Sequence, residues 1–250
     1  MIEISGLVKR FGDLTAVDNL DLKIEPGEIF GFLGPNGAGK TTTVKLITGL
    51  LKPTHGSVRV AGFDVATQTL DAKRRMGLVP DEPFVYPKLS GAEYLRFIGE
   101  LYGVPLADQR RRIPELLGMF ELSQWGGELV ESFSHGMRQK LVIAGILLHE
   151  PKVLILDEPM VGLDPKSARM VKDIFLTLAK RGTTIFMCTH VLEIAEKLCH
   201  RIGIMIAGKM IALGTLEQLR AKAESGGRNL EDIFLSLTGG QEYSSLLKNL

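Results

Sequence analysis

The sequence lacks the features that would assign it to several broad protein classes. Its two cysteines, Cys188 and Cys199, lie in apolar surroundings without regular spacing, which excludes a disulfide scaffold and favours buried free thiols in a reducing cytosol. Thirty basic residues nearly balance 29 acidic ones, so no global attraction to nucleic acid or anionic lipid is expected. The longest apolar run, Leu141 to Leu148, is too short to cross a bilayer, and the first residues do not resemble a secretory signal.

The composition is that of a globular chain. With 250 residues and 45% hydrophobic content, it can bury the core of one large α/β domain or of two unequal lobes. Alternating apolar residues predict a small antiparallel sheet near the amino terminus. These positions are Ile2, Ile4, Leu20, Leu22 and Ile24, followed by a short strand at Ser57 to Ala61.

A change of period divides the remaining chain. From Gly91 to about Glu150 the apolar spacing is helical, which predicts a mostly helical insertion. Short apolar strands then alternate with helical stretches, as in a parallel sheet. The predicted strands are 153–156, 184–188 and 202–206, and a hairpin is expected at Gly208-Lys209.

The most specific pattern is the glycine-rich stretch from Gly34 to Thr41, which reads Gly-Pro-Asn-Gly-Ala-Gly-Lys-Thr. It lies between an apolar strand at Ile29–Leu33 and a helical pattern from Lys40 to Leu50, the context of a phosphate-binding loop. Backbone N–H groups and the helix N-terminus would face an anion. Lys40 would reach the terminal phosphates of a nucleoside triphosphate, and the Thr41 hydroxyl would bind Mg²⁺. The alternative is an ordinary strand-to-helix turn.

A second candidate constellation is the acidic pair Asp157-Glu158, which follows the apolar strand 153–156. The carboxyl ends of strands are where α/β sheets hold their chemistry. Asp157 suits the Mg²⁺ shell, and Glu158 suits a general base for an attacking water. A solvated acidic pair at a strand end is the alternative interpretation.

Over nearly the whole chain, the order of motifs resembles the ATP-binding cassette (ABC) ATPase domain. Residues 132–139 (Ser-Phe-Ser-His-Gly-Met-Arg-Gln) stand in the place of the family signature LSGGQ. Asp157-Glu158-Pro159 follows, then Gly162 to Pro165, which is similar to the family's D-loop. Thr189-His190 is similar to its switch histidine.

This resemblance implies an α/β fold of the P-loop NTPase class and ABC type. It would have a mixed RecA-like sheet core, an antiparallel β subdomain and a helical subdomain. The expected boundaries are an ATPase domain over 1–220, with the helical subdomain at about 88–150, and a short helical tail over 221–250. ATP and Mg²⁺ are the implied cofactors. The nucleotide contacts would come from Pro35, Asn36, Gly37, Ala38, Gly39, Lys40, Thr41 and Thr42.

The resemblance also assigns roles to residues outside the phosphate loop. Ser134 and Gly136 would contact the γ-phosphate held by a second, oppositely oriented ABC subunit, although Ser134 alone is more typical of a helix cap. Asp164 would link the two ATP sites, or merely cap the helix that begins at Pro165. His190 would contact γ-phosphate and orient the attacking water, whereas a lone histidine there is usually a surface residue.

Two residues assigned to the adenine pocket, and two departures from the family's motifs, complete the candidate site. Phe11 stands where the family often stacks a tyrosine on adenine, and Val17 is near a position that lines the same base. The alternative is that Phe11 packs within the small sheet. His135 and Met137 replace a glycine and the glutamine of the common signature. Asp81 replaces the usual Q-loop glutamine and is expected to approach the metal, with a simple polar turn as the alternative.

The function implied is that of an ATP-hydrolysing subunit of an ABC transporter, driving export through separate membrane permease chains. It would act as an ATP-closed homodimer on the cytoplasmic face of the membrane. The segment Phe84-Val85-Tyr86 with Leu89 would receive a permease helix or pack internally, and residues 229–238 resemble exporter tails. The alternative is a soluble ABC-type ATPase acting on nucleic acid or the ribosome, which the near-neutral charge disfavours, so no nucleic-acid partner is expected. A non-hydrolysing regulatory cassette is disfavoured by Lys40, Glu158 and His190.

Overall fold

Two sheets of different construction organise the computed structural model, which describes residues 1–222 and 230–238. The strands are β1 Ile2–Phe11, β2 Leu14–Ile24, β3 Ile29–Leu33, β4 His55–Val60, β5 Phe63–Asp64, β6 Met76–Val79, β7 Val153–Asp157, β8 Thr184–Cys188, β9 Arg201–Ile206 and β10 Lys209–Gly214. The helices are α1 Lys40–Ile47, α2 Thr69–Arg74, α3 Gly91–Leu101, α4 Leu106–Met119, α5 His135–Leu148, α6 Pro165–Lys180, α7 Leu192–Leu198, α8 Leu216–Lys222 and α9 Leu230–Thr238. Short 3₁₀ turns occupy Ser123–Trp125 and Val130–Ser132.

The larger sheet has the strand order β10-β9-β3-β8-β7-β6 and is mixed. The five strands from β9 to β6 run parallel to one another, and β10 pairs antiparallel with β9. Every residue of β3, β7 and β8 is buried, as expected for parallel strands covered on both faces. Parallel pairing brings the carboxyl ends of β3, β8, β7 and β6 to one edge, where the predicted site residues follow each strand.

The smaller sheet has the order β2-β1-β4-β5 and is antiparallel, which confirms the sheet predicted near the amino terminus. The alternation in the sequence is reproduced in the burial pattern. Ile2, Ile4, Leu20, Leu22 and Ile24 all belong to one buried cluster. Fully burying each such side chain stabilises the fold by about 1.5–3 kcal/mol.

Three helices between Gly91 and Leu148 pack together through a buried cluster that also includes residues of the larger sheet and of α6. Ser90 begins α3 with a reciprocal capping box, in which its side chain accepts from Glu93 N and the Glu93 carboxylate accepts from Ser90 N. The last eight residues of α5, 141–148, are all buried, since α5 lies between the other helices and the larger sheet. Its Gly145 allows close contact, because a Cβ there would lie 3.4 Å from the Tyr94 ring.

Several local predictions need adjustment. Helix α1 ends at Ile47 and not near Leu50, where Gly49 adopts a φ of +67° that favours glycine. The hairpin turn falls at Ala207-Gly208, one residue before the position predicted. Cys188 is buried as expected, whereas Cys199 is only partly buried. Of the helical tail predicted over 221–250, residues 223–229 and 239–250 lie outside the described residues.

No helix in residues 1–222 or 230–238 is both long and apolar enough to cross a membrane.

Candidate functional site

A cavity of about 530 Å³ opens at the carboxyl edge of the larger sheet. It lies where β3, β6, β7 and β8 end, and it draws residues from the segments around these four strand ends and from α9. Of the predicted site residues, eight line it: Pro35, Asn36, Lys40, Thr41, Asp81, Asp157, Glu158 and His190. The parallel sheet therefore unites the phosphate loop with both candidate carboxylates and the histidine.

The loop between β3 and α1 requires glycine at defined positions. A Cβ at Gly34 would lie 2.3 Å from the Met205 carbonyl oxygen, and one at Gly39 would lie 2.3 Å from that of Ala16. Gly39 also has a φ of +108°, where L-residues are strained. Helix α1 has no side-chain cap, so its first N–H groups are available to an anion.

Lys40 curls over this loop. Its Nζ donates to the carbonyl oxygens of Gly34 at 2.6 Å and Pro35 at 3.0 Å, which fixes the positive charge beside the helix start. Thr41 is exposed at the cavity wall. Of the other predicted contacts, Ala38 is buried, and Gly37, Gly39 and Thr42 lie in the loop or first turn without lining the cavity.

Asp157 is a buried carboxylate at the end of β7. Burial raises its pKa to about 6, and the neighbouring charges of Asp81 and Glu158 act in the same direction. Lys40 opposes this rise. Asp81 is therefore close enough to Asp157 to be felt electrostatically, although its side chain is exposed.

Glu158 is held by the strand beside it. Its backbone has a φ of +50°, an uncommon conformation for a non-glycine residue that is often found at functional sites. The Oε1 atom accepts from the His190 backbone N–H at 2.8 Å and lies 2.8 Å from His190 Nδ1. The Oε2 atom accepts from the Thr189 hydroxyl at 3.0 Å. The carboxylate is thus fixed through both oxygens at the cavity wall.

The cavity carries oxygen donors that fit a magnesium ion. Within the described residues, no group of three or more histidine, cysteine, aspartate or glutamate side chains is arranged to hold one. Mg²⁺, however, is commonly bound by one or two carboxylates together with substrate phosphates and waters. The hard oxygen donors of Thr41, Asp157 and Asp81 fit that mode of binding.

The signature segment lies outside the cavity. Ser134 is the N-cap of α5, and its hydroxyl accepts from Met137 N at 3.3 Å, which confirms the predicted cap. Gly136 lies against the D-loop segment, since a Cβ there would be 2.8 Å from the Gly162 carbonyl oxygen. His135 packs on the same glycine: a Cβ at Gly162 would lie 2.2 Å from its Nδ1.

Asp164 caps α6 in this chain. Its Oδ1 accepts from the backbone N–H groups of Lys166 and Ser167, each at 3.0 Å. Hydrogen bonds from Ser167 lower the pKa of this carboxyl. The capping alternative from the sequence is therefore present in the fold, and it leaves the Asp164 side chain exposed.

The two residues proposed to contact adenine, Phe11 and Val17, differ in solvent exposure. Phe11 is 47% exposed, and the Lys9 ammonium lies 4.9 Å from its ring centroid. Val17 is fully buried in the core beneath the smaller sheet. Its side chain packs inside this core and is therefore not available to a nucleotide.

Several cavity residues had no assigned role in the sequence. These are Val161, Thr189, Leu192 and Phe234. Thr189 stood inside a recognised motif, and a polar residue directly after a buried strand was a usable signal. Phe234 comes from α9, more than 40 residues after His190, and the packing of α9 on α7 and α8 brings it to the cavity.

Comparison with known proteins gives a consistent result. The model of the ABC transporter family matches residues 17–161. The daunorubicin resistance ATP-binding protein DrrA3 of Streptomyces coeruleorubidus is 40% identical over 230 residues, covering 92% of this chain and 72% of that protein.

Solved structures agree with this. An ATP-binding subunit of an ABC transporter superposes with a TM-score of 0.92 at 32% identity, covering 95% of this chain and 99% of that one. The ATP-binding cassette MJ0796, in a dimeric post-hydrolysis state with ADP and Pi, gives 0.79 at 25% identity, covering 86% and 99%.

The α/β fold class and its ABC type are thereby confirmed, as are ATP binding and ATPase activity. The chain belongs to the ABC transporter family, as one of its ATP-binding cassettes.

Proposed function

We propose that this ATPase drives export through separate membrane-spanning permease chains, from the cytoplasmic face of the membrane. The observation that carries the proposed catalytic assignment is the Glu158 carboxylate, held at the wall of the same cavity as Lys40 and Thr41. The similarity to a daunorubicin resistance protein supports the direction of transport, since resistance by an ATP-binding transport subunit fits removal of the drug.

The phosphates of ATP would lie along the loop and the start of α1. Lys40 and the free N–H groups of the first turn would stabilise the charge on the β- and γ-phosphates. Thr41 and Asp157, with Asp81 beside them, would hold Mg²⁺, which neutralises phosphate charge when bound. These groups would position the phosphates and stabilise their charge, and none of them would react.

Glu158 would accept a proton from the attacking water. As the water oxygen bonds to the γ-phosphorus, the bond to the β–γ bridging oxygen breaks, and ADP leaves with that electron pair. His190, adjacent to Glu158 Oε1, would face the γ-phosphate. General-base catalysis of this kind is worth about 10²- to 10⁴-fold in rate.

A second copy would complete the site. Ser134 and Gly136 do not line the cavity of their own chain. In a head-to-tail homodimer they would close over the partner's ATP, with Phe11 stacking on adenine and Asp164 at the interface. The dimeric form of the MJ0796 cassette supports this arrangement.

An exposed aromatic ladder would receive the permease. Phe84 meets Tyr86 edge to face at 6.0 Å between ring centroids, and Tyr86 meets Phe97 at 5.1 Å. Phe84 is 76% exposed, whereas Val85 and Leu89 pack against the core of the helical segment. Val85 and Leu89 therefore pack internally, which was one of the two alternatives from the sequence. The exposed aromatics, a few residues after Asp81, are the surface we assign to an apolar permease helix.

The catalytic assignment is tested with Glu158→Gln. Turnover of ATP should fall by about 10²- to 10⁴-fold while ATP still binds, and an ATP-dependent dimer should accumulate in light scattering. Glu82→Gln, an exposed carboxylate near Asp81 that does not line the cavity, is the matched control. Undiminished turnover in Glu158→Gln would exclude Glu158 as the base.

Docking is tested by purifying the chain from membranes. A double variant with Phe84→Ser and Tyr86→Ser should lose a co-purifying multispanning protein while keeping its ATPase activity. Leu70→Ser, an equally exposed apolar residue elsewhere, should not lose it. Association of the wild-type chain with ribosomes or DNA, and with no membrane protein, would favour the alternative function.

A further inference from the structure

Thr189 is a buried threonine directly beside the candidate base. It follows β8, and only 2% of it is exposed. Its hydroxyl takes part in two hydrogen bonds, one with Glu158 Oε2 at 3.0 Å and one with the Val191 backbone N–H at 3.1 Å.

The direction of these two bonds follows from their chemistry. A hydroxyl has one proton to donate and two lone pairs that accept. Because the Val191 N–H can only donate, it uses a lone pair of Thr189 Oγ1, and the hydroxyl proton remains for the carboxylate. Thr189 therefore donates to Glu158, and Val191 fixes the rotamer from which it does so.

The second oxygen of Glu158 is fixed from the same strand end. Oε1 accepts from the His190 N–H at 2.8 Å, and the Glu158 N–H itself donates to the Cys188 carbonyl at 3.0 Å. Glu158 is thus attached to the end of β8 by its backbone and by both carboxylate oxygens. None of these three contacts comes from the phosphate loop.

We propose that Thr189 is a positioning residue for ATP hydrolysis, which holds the Glu158 carboxylate in the orientation that accepts the proton of the attacking water. This inference rests on the proposed role of Glu158. With Oε2 held by a donor of fixed direction, the carboxylate cannot rotate about its terminal bond without losing a charge-assisted hydrogen bond. Thr189 itself contacts no reacting atom.

Two substitutions separate this role from a structural one. Thr189→Val keeps the shape and removes the hydroxyl, whereas Thr189→Ser keeps the hydroxyl and removes the methyl group. Thr184→Val is a matched control at the start of β8, since Thr184 is fully buried and its hydroxyl contacts the Met1 amino group and the Glu25 carbonyl. It reports the cost of losing a buried hydroxyl away from Glu158.

The test is a double-mutant cycle with Glu158→Gln, measured as kcat and KM for ATP on protein whose folding is verified by thermal unfolding. Thr189→Val should lower kcat by about 10- to 100-fold with KM for ATP within about twofold, and Thr189→Ser should restore most of it. In the Glu158→Gln background, Thr189→Val should cause no further loss. Thr184→Val should lower stability without this kcat effect.

Two results would overturn the inference: wild-type kcat in Thr189→Val, or the same fold-loss in both backgrounds. A Glu158→Gln variant with undiminished turnover would instead refute the proposed base. The two failures are therefore distinguishable.

Discussion

The phosphate loop enters α1 through a glycine, whereas the signature segment enters α5 through a serine. Gly39 offers no side-chain cap, so the first N–H groups of α1 are left for a ligand. Ser134 accepts from Met137 N and so uses part of the helix start, but its own hydroxyl proton remains free to donate. The start of α1 therefore leaves its N–H groups without a side-chain partner, whereas the start of α5 offers a hydroxyl donor.

The two regions also differ in what supports them. The phosphate loop is backed by Ala16 and Met205, which lie on strands β2 and β9, and by Gly208 in the turn after β9. The signature segment rests on the loop after Glu158: Gln139 donates to the Pro159 carbonyl, and His135 packs on Gly162. Its position therefore depends on the chain next to the Glu158 carboxylate, the proposed base.

The largest expected effect comes from the phosphate loop. Lys40→Ala removes the charge fixed beside Gly34 and Pro35, and turnover should fall by about 10²- to 10³-fold with weaker ATP binding. Nucleotide titration and phosphate release measure the two effects. Lys45→Ala, an exposed lysine on the same helix, is the control, and an equal loss there would remove the distinction.

A substitution in the signature segment should slow ATP hydrolysis without weakening ATP binding. Ser134→Ala should lower turnover by about 10- to 100-fold, the range expected for a hydrogen bond to a charged group, and leave ATP affinity of the monomer unchanged. It should also reduce the free energy of unfolding by about 1 kcal/mol through the lost cap. Ser90→Ala, at the start of α3, should show the stability loss alone.

The contact between the signature and the D-loop segment is open to a paired substitution. Gly162→Ala should lower the free energy of unfolding by about 1–3 kcal/mol, because its Cβ would meet His135 Nδ1 at 2.2 Å. Adding His135→Ala frees that space and should recover part of the loss. The remainder reflects the φ of +76° at Gly162, and denaturant unfolding of the three variants measures both parts. Strict additivity would mean that the two residues do not interact.

The far end of α5 provides the smallest effect, a pH dependence. Burial lowers the pKa of His149 from its ordinary 6.5, with Arg112 acting in the same direction and the carbonyls of Met76 and Gly145 opposing it. The unfolded chain therefore takes up the proton first. The free energy of unfolding should fall as the pH drops below about 6.5, by at most about 1.4 kcal/mol per pH unit.

This pH effect is isolated by comparing the wild type with His149→Gln. The variant should lose that part of the acid sensitivity, together with the stacking of His149 on Tyr102 at 3.7 Å. His55→Gln, at an exposed histidine, should retain the wild-type pH profile. Parallel stability curves for wild type and His149→Gln between pH 7 and 5.5 would contradict the assignment.

Much of the fold followed from local pattern. The alternation in β1 and β2, the helical spacing of 91–148 and the buried strands β7 and β8 were all legible, because each reflects the period of one element. The ends of elements were harder to predict from the sequence. Helix α1, for example, stops at Ile47 because Gly49 takes a positive φ. Val17 shows a further limit, since apolar character does not distinguish a residue that contacts a base from one inside the core.

By itself, the sequence determined the phosphate loop, the acidic pair at the end of β7 and the family, because each depends on residue types at fixed short spacings. The tertiary structure alone decided that Thr189 and His190 hold Glu158, that Phe234 reaches the cavity and that His135 rests on Gly162. The strand order β3-β8-β7 places segments more than 100 residues apart side by side. No local spacing encodes that order, which is set by the burial of the whole sheet between its helices.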